Sequence, residues 1–385
     1  MLSSLEELRH SGELMLRISD ELELCYDTFG DPADPPVLLI AGNGAQMTSN
    51  RVDTIVRPLV QAGYYVVRHD NRDAGLSSRM PQYGNPHVAK MMGALAANSL
   101  LQDTLVPLAS GALILSAGLT TTSPTGMQGS AWPRLAAAAA LGAASSAGAI
   151  RVPVPGMYSL DDMASDSKSI CDHLGLKGGV HIVGASMGGM IAQVMAVRYP
   201  RLVRSMTCIY SCSDAYMLGD HRPSLSYMMS FLRVGLMPSG TLEEKVEQLI
   251  FSKKNNVPPE FYDDAEAREH ALEYITRCAD RTGGGRQTCA IFLAWDRKEE
   301  LAKLSIPSLV LHGTGDPLIP PQNGRVLAAA IPGCQSVFYE GMGHNLDAKF
   351  NVQMVKEIVH MIRKTEAGER YDSTLESEQM PKAKL

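Results

Sequence analysis

The chain has 385 residues, enough for one large α/β domain with insertions or for two domains. Hydrophobic residues make up 45% of the chain and charged residues 20%, which is typical of a globular protein. The formal net charge of −6, without any basic stripe to neutralise phosphates, argues against nucleic-acid binding. Residues 1–13 carry four charged side chains and lack the apolar core of a secretory signal.

The first 80 residues predict the start of a parallel sheet. Residues 14–18 and 22–26 read as two short strands of an opening hairpin. The apolar run 37–42 is typical of a strand buried on both faces, residues 51–62 have helical spacing, and residues 64–68 form the next strand. Strand, helix and strand in this order predict a βαβ unit.

Residues 81–156 interrupt this alternation of strands and helices with an Ala/Gly-rich, apolar insertion. Between residues 104 and 150 the only charged residue is Arg134. A membrane span needs about 20 apolar residues, and the apolar run 105–119 is shorter. We therefore interpret the segment as a lid or partly disordered insertion, with a membrane-inserting hairpin as the alternative. Its low charge suits an apolar substrate or contact with a membrane surface through residues 104–150.

The central motif is Gly184-Ala185-Ser186-Met187-Gly188. An apolar run precedes it and a helical pattern follows at once. This arrangement predicts a nucleophile elbow, a strand that turns sharply into a helix with Ser186 at the apex. Glycines flank the serine because side chains there would collide across the turn.

The remaining pattern predicts an α/β fold with a mostly parallel central sheet, flanking helices and a helical cap inserted after the sixth strand. Ser159 and Asp162 predict a capping box at the start of a helix that ends near Leu174. Residues 213–300 are poor in strands and mostly helical. The predicted divisions are a core of residues 1–80, 157–212 and 301–365, the insertion 81–156, the cap 213–300 and a mobile C-terminal tail 366–385.

Three candidate catalytic residues follow three predicted parallel strands, in the order Ser186, Asp316, His344. The carboxyl ends of such strands line one site. A serine hydroxyl needs a base to take its proton, an imidazole can do so near neutral pH, and a carboxylate orients the imidazole. Asp214 follows another strand and is the rival acid. The strand histidines His69, His181 and His312 are interpreted as packing or supporting groups.

An acyl-transfer site also needs hydrogen-bond donors for the oxyanion. The backbone N–H of Met187, at the start of the elbow helix, is one candidate. The second is assigned to the backbone N–H of Asn43, in the glycine-rich loop after the strand 37–42.

Several motifs together resemble the α/β-hydrolase superfamily. The segment from Asp70 to Ser77 resembles the D-x-R-x-x-G-x-S loop of esterases, with Asp73 where many members have glycine. The segments most similar to the aclacinomycin methylesterase-like esterase group are Arg286-Gln287, Asp296-Arg297, 312–320 and 340–344. Over about residues 14–80 and 157–365, this resemblance implies the α/β-hydrolase fold, carboxylic ester hydrolysis and the same two oxyanion donors. Ala41 stands where many members have histidine, and the insertion 81–156 has no counterpart.

The predicted function is a serine hydrolase that cleaves a small, apolar carboxylic ester through an acyl-enzyme. The chemistry requires no cofactor and no metal. The alternatives are a lipase or thioesterase for long acyl chains, a cofactor-free haloperoxidase-like enzyme, and a non-catalytic ligand-binding relative. A carboxylate nucleophile, as in epoxide hydrolases, is disfavoured because position 186 is serine.

Two further features of the sequence bear on the cellular compartment in which the protein is expected. Among the 7 cysteines, Cys208 and Cys212 are the closest pair and are predicted to be buried thiols in a reducing compartment. The terminal Ala383-Lys384-Leu385 resembles the S-K-L peroxisomal signal, with alanine for serine. It would bind a peroxisomal import receptor and place the protein in a peroxisome or glycosome; otherwise we expect a cytoplasmic protein.

Overall fold

The computed structural model describes residues 7–84, 157–214 and 221–369. Within them, one sheet has the strand order β1-β2-β4-β3-β5-β6-β7-β8. The strands are β1 (Leu14–Arg17), β2 (Glu23–Phe29), β3 (Pro36–Ile40), β4 (Tyr65–His69), β5 (Val180–Ala185), β6 (Val203–Ile209), β7 (Ser308–Gly313) and β8 (Gln335–Tyr339). The pairs β1–β2 and β2–β4 are antiparallel, and the others are parallel. The predicted opening hairpin, βαβ unit and mostly parallel sheet are confirmed.

Helices flank this sheet and fill the region between β6 and β7. They are α1 (Arg57–Gln61), α2 (Leu160–His173), α3 (Met187–Arg198), α4 (Leu225–Leu236), α5 (Leu242–Asn256), α6 (Asp264–Arg277), α7 (Gly284–Phe292), α8 (Lys298–Leu301), α9 (Pro321–Ala330) and α10 (Ala348–Glu366). The predicted capping box of α2 is present. The Ser159 hydroxyl accepts the Asp162 N–H, and the Asp162 carboxylate accepts the Ser159 N–H at 2.7 Å.

The segment 51–62, predicted as one helix, does not begin as a regular α-helix. Residues Val52–Val56 form a π-helical turn, in which the N–H groups of Ile55 and Val56 both donate to the Arg51 carbonyl. The regular helix α1 starts only at Arg57. Pro58 has no N–H to donate to an earlier carbonyl, so the hydrogen-bond pattern changes at this junction.

The sheet is covered by apolar side chains on both faces, as the continuous apolar strands predict. Along β3, Leu38 and Ile40 point into one core cluster, which includes helices α2 and α3. Val37 and Leu39 point into the other, which includes α1 and α10. Because successive side chains of a strand alternate between faces, a continuous apolar run fits a strand that helices cover on both sides.

Helices α4 to α7 lie within the segment 213–300, and we propose that they form the cap. Helices α5 and α6 pack around a small apolar cluster of their own. The sequence predicted a mostly helical segment here, without a separate prediction for the cap helix α7. It begins at two glycines, Gly283 and Gly284, which read as a turn in the sequence.

Several predictions concern residues outside the described part of the chain. These are most of the insertion 81–156, including its membrane-contact alternative, and the import signal Ala383-Lys384-Leu385 with most of the tail. Helix α10 continues to Glu366. In the described ranges, none of the helices combines the length and apolar character that a membrane crossing requires.

Candidate active site

Ser186 stands at a strained turn between β5 and α3. Its backbone has φ +56° and ψ −119°, in the left-handed half of the Ramachandran plot. A Cβ atom at Gly184 would lie 2.1 Å from the Gly188 carbonyl oxygen, and one at Gly188 would lie 2.1 Å from the Ile40 carbonyl oxygen. Both glycines are therefore required by the close approach of α3 to the strands. The turn leaves Ser186 half-buried at the carboxyl end of the sheet.

Three side chains from the ends of β5, β7 and β8 form a continuous hydrogen-bond chain. The Nδ1 atom of His344 lies 2.7 Å from Oδ2 of Asp316, and its Nε2 atom lies 3.0 Å from Oγ of Ser186. Because the carboxylate accepts a hydrogen bond from the protonated Nδ1, Nε2 is left as the acceptor for the serine hydroxyl. The structure thus brings together the three residues singled out in the sequence.

The carboxylate of Asp316 is held from its other side as well. Its Oδ1 atom accepts the backbone N–H groups of Leu318 and Ile319 at 2.9 and 2.8 Å. Its side chain is completely buried. These bonds leave Oδ2 for His344 and define the direction from which the imidazole is held. The rival acid Asp214 lies elsewhere, with its Oδ2 atom 3.8 Å from Nζ of Lys298.

The loop carrying His344 is packed against β6 and against the cap. The His344 N–H donates to the carbonyl of Asn256, the last residue of α5, at 2.7 Å. The ring of Tyr210, just after β6, lies 4.4 Å from the imidazole between centroids. Burial, reinforced by the carboxylates of Asp316 and Asp347, raises the pKa of Tyr210 well above 10. The neutral phenol ring of Tyr210 therefore packs against the imidazole of His344.

The three strand histidines lie in the interior. His69 bonds to Ser167, and His181 bonds to Ser205 and Glu366. Burial lowers the pKa of His69 to about 4. His312 bonds to the Ile319 carbonyl at 2.8 Å, with its Nε2 atom 3.6 Å from Oδ2 of Asp316. Burial also lowers the pKa of His312, despite the nearby carboxylate of Asp316.

The loop after β3 lies directly against the serine. A Cβ atom at Gly42 would be 3.2 Å from Cβ of Ser186. Asn43, the next residue, is thereby close to the nucleophile. Met187 is the first residue of α3, so its N–H has no acceptor within the helix. These positions are compatible with the two oxyanion donors predicted from the sequence.

The sequence motif from Asp70 to Ser77 is a structural loop. Asp70 accepts the N–H groups of Met47 and Leu76 and the guanidinium of Arg277. A Cβ atom at Gly75, where φ is +52°, would lie only 2.1 Å from the Asp70 carboxylate. The motif therefore ties the loop after β4 to the loop after β3 and to cap helix α6.

Asp73 has a specific partner that the sequence did not indicate. Its carboxylate receives two hydrogen bonds from the guanidinium of Arg286, at 2.8 and 2.6 Å, and both side chains are almost fully buried. The backbone of Asp73 has φ +70°, a left-handed conformation that glycine adopts more readily than aspartate. In this protein, Asp73 forms a buried ion pair with Arg286 of α7.

All seven cysteines are free thiols. Cys208 and Cys212 are buried, as predicted. Burial raises the pKa of Cys208 to about 12, so its thiol stays protonated and unreactive.

Comparisons with known proteins support the fold and the esterase group. A family model described as the alpha/beta hydrolase family matches residues 112–350. Rhodomycin D methylesterase DauP of Streptomyces sp. (strain C5) is 25% identical over 351 residues, which cover 85% of this chain and 90% of that protein. Rhodomycin D methylesterase DnrP of Streptomyces peucetius is 25% identical over 352 residues, covering 85% of this chain and 91% of that protein. The crystal structure of a bromoperoxidase from Bacillus anthracis superposes with a TM-score of 0.58 at 18% identity, covering 91% of this chain and all of that one, and supports the fold alone.

Proposed function

Because the chain belongs to the α/β-hydrolase family, we propose that it hydrolyses a carboxylic ester, with Ser186 as nucleophile, His344 as general base and acid, and Asp316 as the residue that orients the imidazole. The observation that carries the proposal is the chain of two hydrogen bonds, 2.7 and 3.0 Å long, from Asp316 through His344 to Ser186 at the elbow. A serine and an imidazole in such contact are the elements that covalent acyl transfer needs.

In the acylation step, Oγ of Ser186 forms a bond to the ester carbonyl carbon while its proton moves to Nε2 of His344. The carbonyl oxygen becomes an oxyanion. The N–H groups of Asn43 and Met187 donate to it, which stabilises the negative charge as it develops. The bond from the carbonyl carbon to the alcohol oxygen then breaks. The alcohol leaves with the proton from Nε2, and an acyl-enzyme remains.

In the deacylation step, a water molecule takes the place of the alcohol. His344 accepts a proton from this water as its oxygen attacks the acyl carbon, and a second tetrahedral intermediate forms. Its collapse returns the proton to Oγ of Ser186 and releases the carboxylic acid. The buried carboxylate of Asp316 stabilises the imidazolium in both steps. The cycle uses only water and the ester.

Two relatives named as methylesterases cover most of this chain, so we propose that the alcohol released is small, with methyl esters as the first class to examine. The acyl part is proposed to be apolar, as the composition of the insertion suggests. A preference for long-chain acyl esters or thioesters would instead identify the lipase or thioesterase alternative.

The decisive experiment is labelling with a fluorophosphonate, which phosphonylates activated serines. Wild type, Ser186→Ala and Ser205→Ala are compared by intact mass. Ser205 is a buried serine on β6 and serves as the matched control. We expect one adduct on wild type and on Ser205→Ala, and none on Ser186→Ala. A folded wild type that takes up no label would refute the proposed chemistry and point to a ligand-binding protein. A labelled wild type is then assayed with methyl and p-nitrophenyl esters of increasing acyl length.

A further inference from the structure

The side chain of Gln287, on cap helix α7, connects two loops of the core. Its Oε1 atom accepts the N–H of Gly44 at 2.6 Å, and its Nε2 atom donates to the carbonyl of Arg72 at 2.7 Å. Gly44 follows β3 and Arg72 follows β4, so the amide spans the ends of two neighbouring parallel strands. Gln287 is fully buried. The sequence indicated the dipeptide Arg286-Gln287 only through resemblance, without a role for the glutamine.

The orientation of this amide is unambiguous. Its oxygen faces a backbone N–H and its NH₂ group faces a backbone carbonyl, so reversing the amide would place donor against donor and acceptor against acceptor. In the buried interior, such a reversal would leave two backbone groups unsatisfied at about 1–3 kcal/mol each. Gln287 is therefore a rigid connection between the two loops.

The residue after Gln287 holds the same loop by a second contact. Thr288 accepts a hydrogen bond from the side-chain NH₂ of Asn43 at 2.7 Å and donates to the Gly284 carbonyl at 2.8 Å. A Cβ atom at Gly44 would lie 3.9 Å from Cα of Gly284, so helix and loop approach each other closely. Consecutive residues of α7 thus hold consecutive residues of the loop beside Ser186.

These contacts act on the two peptide units that follow the predicted oxyanion donor. The N–H of Gly44 is committed to Gln287, so it is not a donor for the substrate. The hydroxyl of Tyr274, on cap helix α6, donates to the Gly44 carbonyl on the other side of the same residue. With both backbone groups of Gly44 held, the preceding N–H of Asn43 has a defined direction relative to Ser186.

We propose that Gln287 is a positioning residue for ester hydrolysis, which holds the loop 42–44 so that the Asn43 N–H is directed at the developing oxyanion. This inference rests on the proposed function and deepens it. The cap thereby contributes directly to the catalytic geometry through α7. Small displacements of a transition-state donor reduce turnover more than substrate binding, because the interaction forms fully only in the transition state.

The test uses Gln287→Met, which keeps the length of the side chain and removes both hydrogen-bonding atoms. The matched control is Ser205→Ala, which removes a buried 2.7 Å hydrogen bond to His181 near the amino-terminal ends of β5 and β6, far from Ser186. Gln287→Glu retains an oxygen that can accept the Gly44 N–H. Each variant is assayed for kcat and KM, thermal unfolding, and hydrogen–deuterium exchange of the peptide that contains residues 42–47.

We expect Gln287→Met to lower kcat by about 10- to 100-fold with KM changed by less than about threefold, since removal of a whole oxyanion donor lowers kcat by about 10²–10³-fold. Exchange of residues 42–47 should become faster. Gln287→Glu should recover part of kcat, and Ser205→Ala should lose stability without a loss of kcat.

A Gln287→Met variant that loses stability but keeps the kcat and exchange of wild type would overturn the inference, because Gln287 would then serve packing alone. The exchange measurement does not depend on activity. If wild type is not labelled by the fluorophosphonate, the proposed function fails. Unchanged hydrogen–deuterium exchange of residues 42–47 in Gln287→Met would show separately that Gln287 does not hold the loop.

Discussion

Replacing Asp316 by asparagine tests the hydrogen-bond chain most directly. The two oxygens of Asp316 have different partners: Oδ1 accepts N–H groups from Leu318 and Ile319, and Oδ2 accepts from Nδ1 of His344. Asparagine offers one oxygen and one NH₂ group. The two backbone N–H groups require the oxygen at the Oδ1 position, since the reverse orientation would leave both unsatisfied at about 1–3 kcal/mol each. The NH₂ group must therefore face His344.

This orientation reverses the tautomer of the imidazole. Nδ1 then has to accept a hydrogen bond from the asparagine, so the ring proton moves to Nε2, which faces Ser186 at 3.0 Å. A protonated Nε2 cannot take the serine proton. We expect kcat to fall by about 10⁴-fold, which corresponds to about 5.5 kcal/mol of transition-state stabilisation.

The assay is kcat and kcat/KM for p-nitrophenyl acetate, with circular dichroism to establish that each variant is folded. Asp214→Asn is the control, because Asp214 also follows a parallel strand but lies near Lys298. Its activity should stay close to wild type. A loss of less than about tenfold in Asp316→Asn, or a larger loss in Asp214→Asn, would refute the argument that Asp316 sets the tautomer.

Two further predictions concern stability. Asp73→Asn should lower the free energy of unfolding by about 3–5 kcal/mol, because it leaves the buried guanidinium of Arg286 without its counter-charge. The double variant Asp73→Asn/Arg286→Met should recover most of this loss in urea unfolding, and a double variant as unstable as the sum of both single variants would contradict the pairing. His69 is neutral in the fold because burial lowers its pKa from 6.5 to about 4. The unfolded chain therefore binds one more proton between these values, and stability falls as the pH drops from 6.5 to 4. His69→Phe should reduce the stability difference between pH 7 and pH 4.5 by about 2 kcal/mol, and an unchanged difference would assign the acid sensitivity to other groups.

The elbow and the succession of strands and helices along the chain could be predicted because their signals are local. Gly184, Ser186 and Gly188 lie within five positions of the chain, and the apolar run before them and the helical spacing after them need no distant partner to be read. The encounter of Ser186, Asp316 and His344 follows from the same reasoning, since parallel strands bring their carboxyl ends to one edge of the sheet. The fold class and the esterase group predicted from these motifs are confirmed.

The sequence pointed to Asp316 but left Asp214 as a rival acid, because a position after a strand does not by itself separate the two carboxylates. Both follow a parallel strand, and only the path of each loop decides which carboxylate reaches the imidazole. Helix α7 was missed for a related reason. Its glycines favour a turn by local propensity, but a Cβ atom at Gly283 would lie 2.0 Å from the Asp73 carbonyl oxygen, and Gly284 packs against Gly44. These glycines allow a helix to approach the core closely, which is a tertiary requirement.

The sequence by itself determined most strands and helices of the described part of the chain and the chemical groups at the ends of its strands, because periodicity and turn residues act over short distances along the chain. Only the tertiary structure decided how the cap holds those groups. Gln287 meets Gly44 across 243 residues of sequence, and Arg286 meets Asp73 across 213. Hydrogen bonds between such distant residues depend on the packing of whole elements, and no pattern within a single element specifies them.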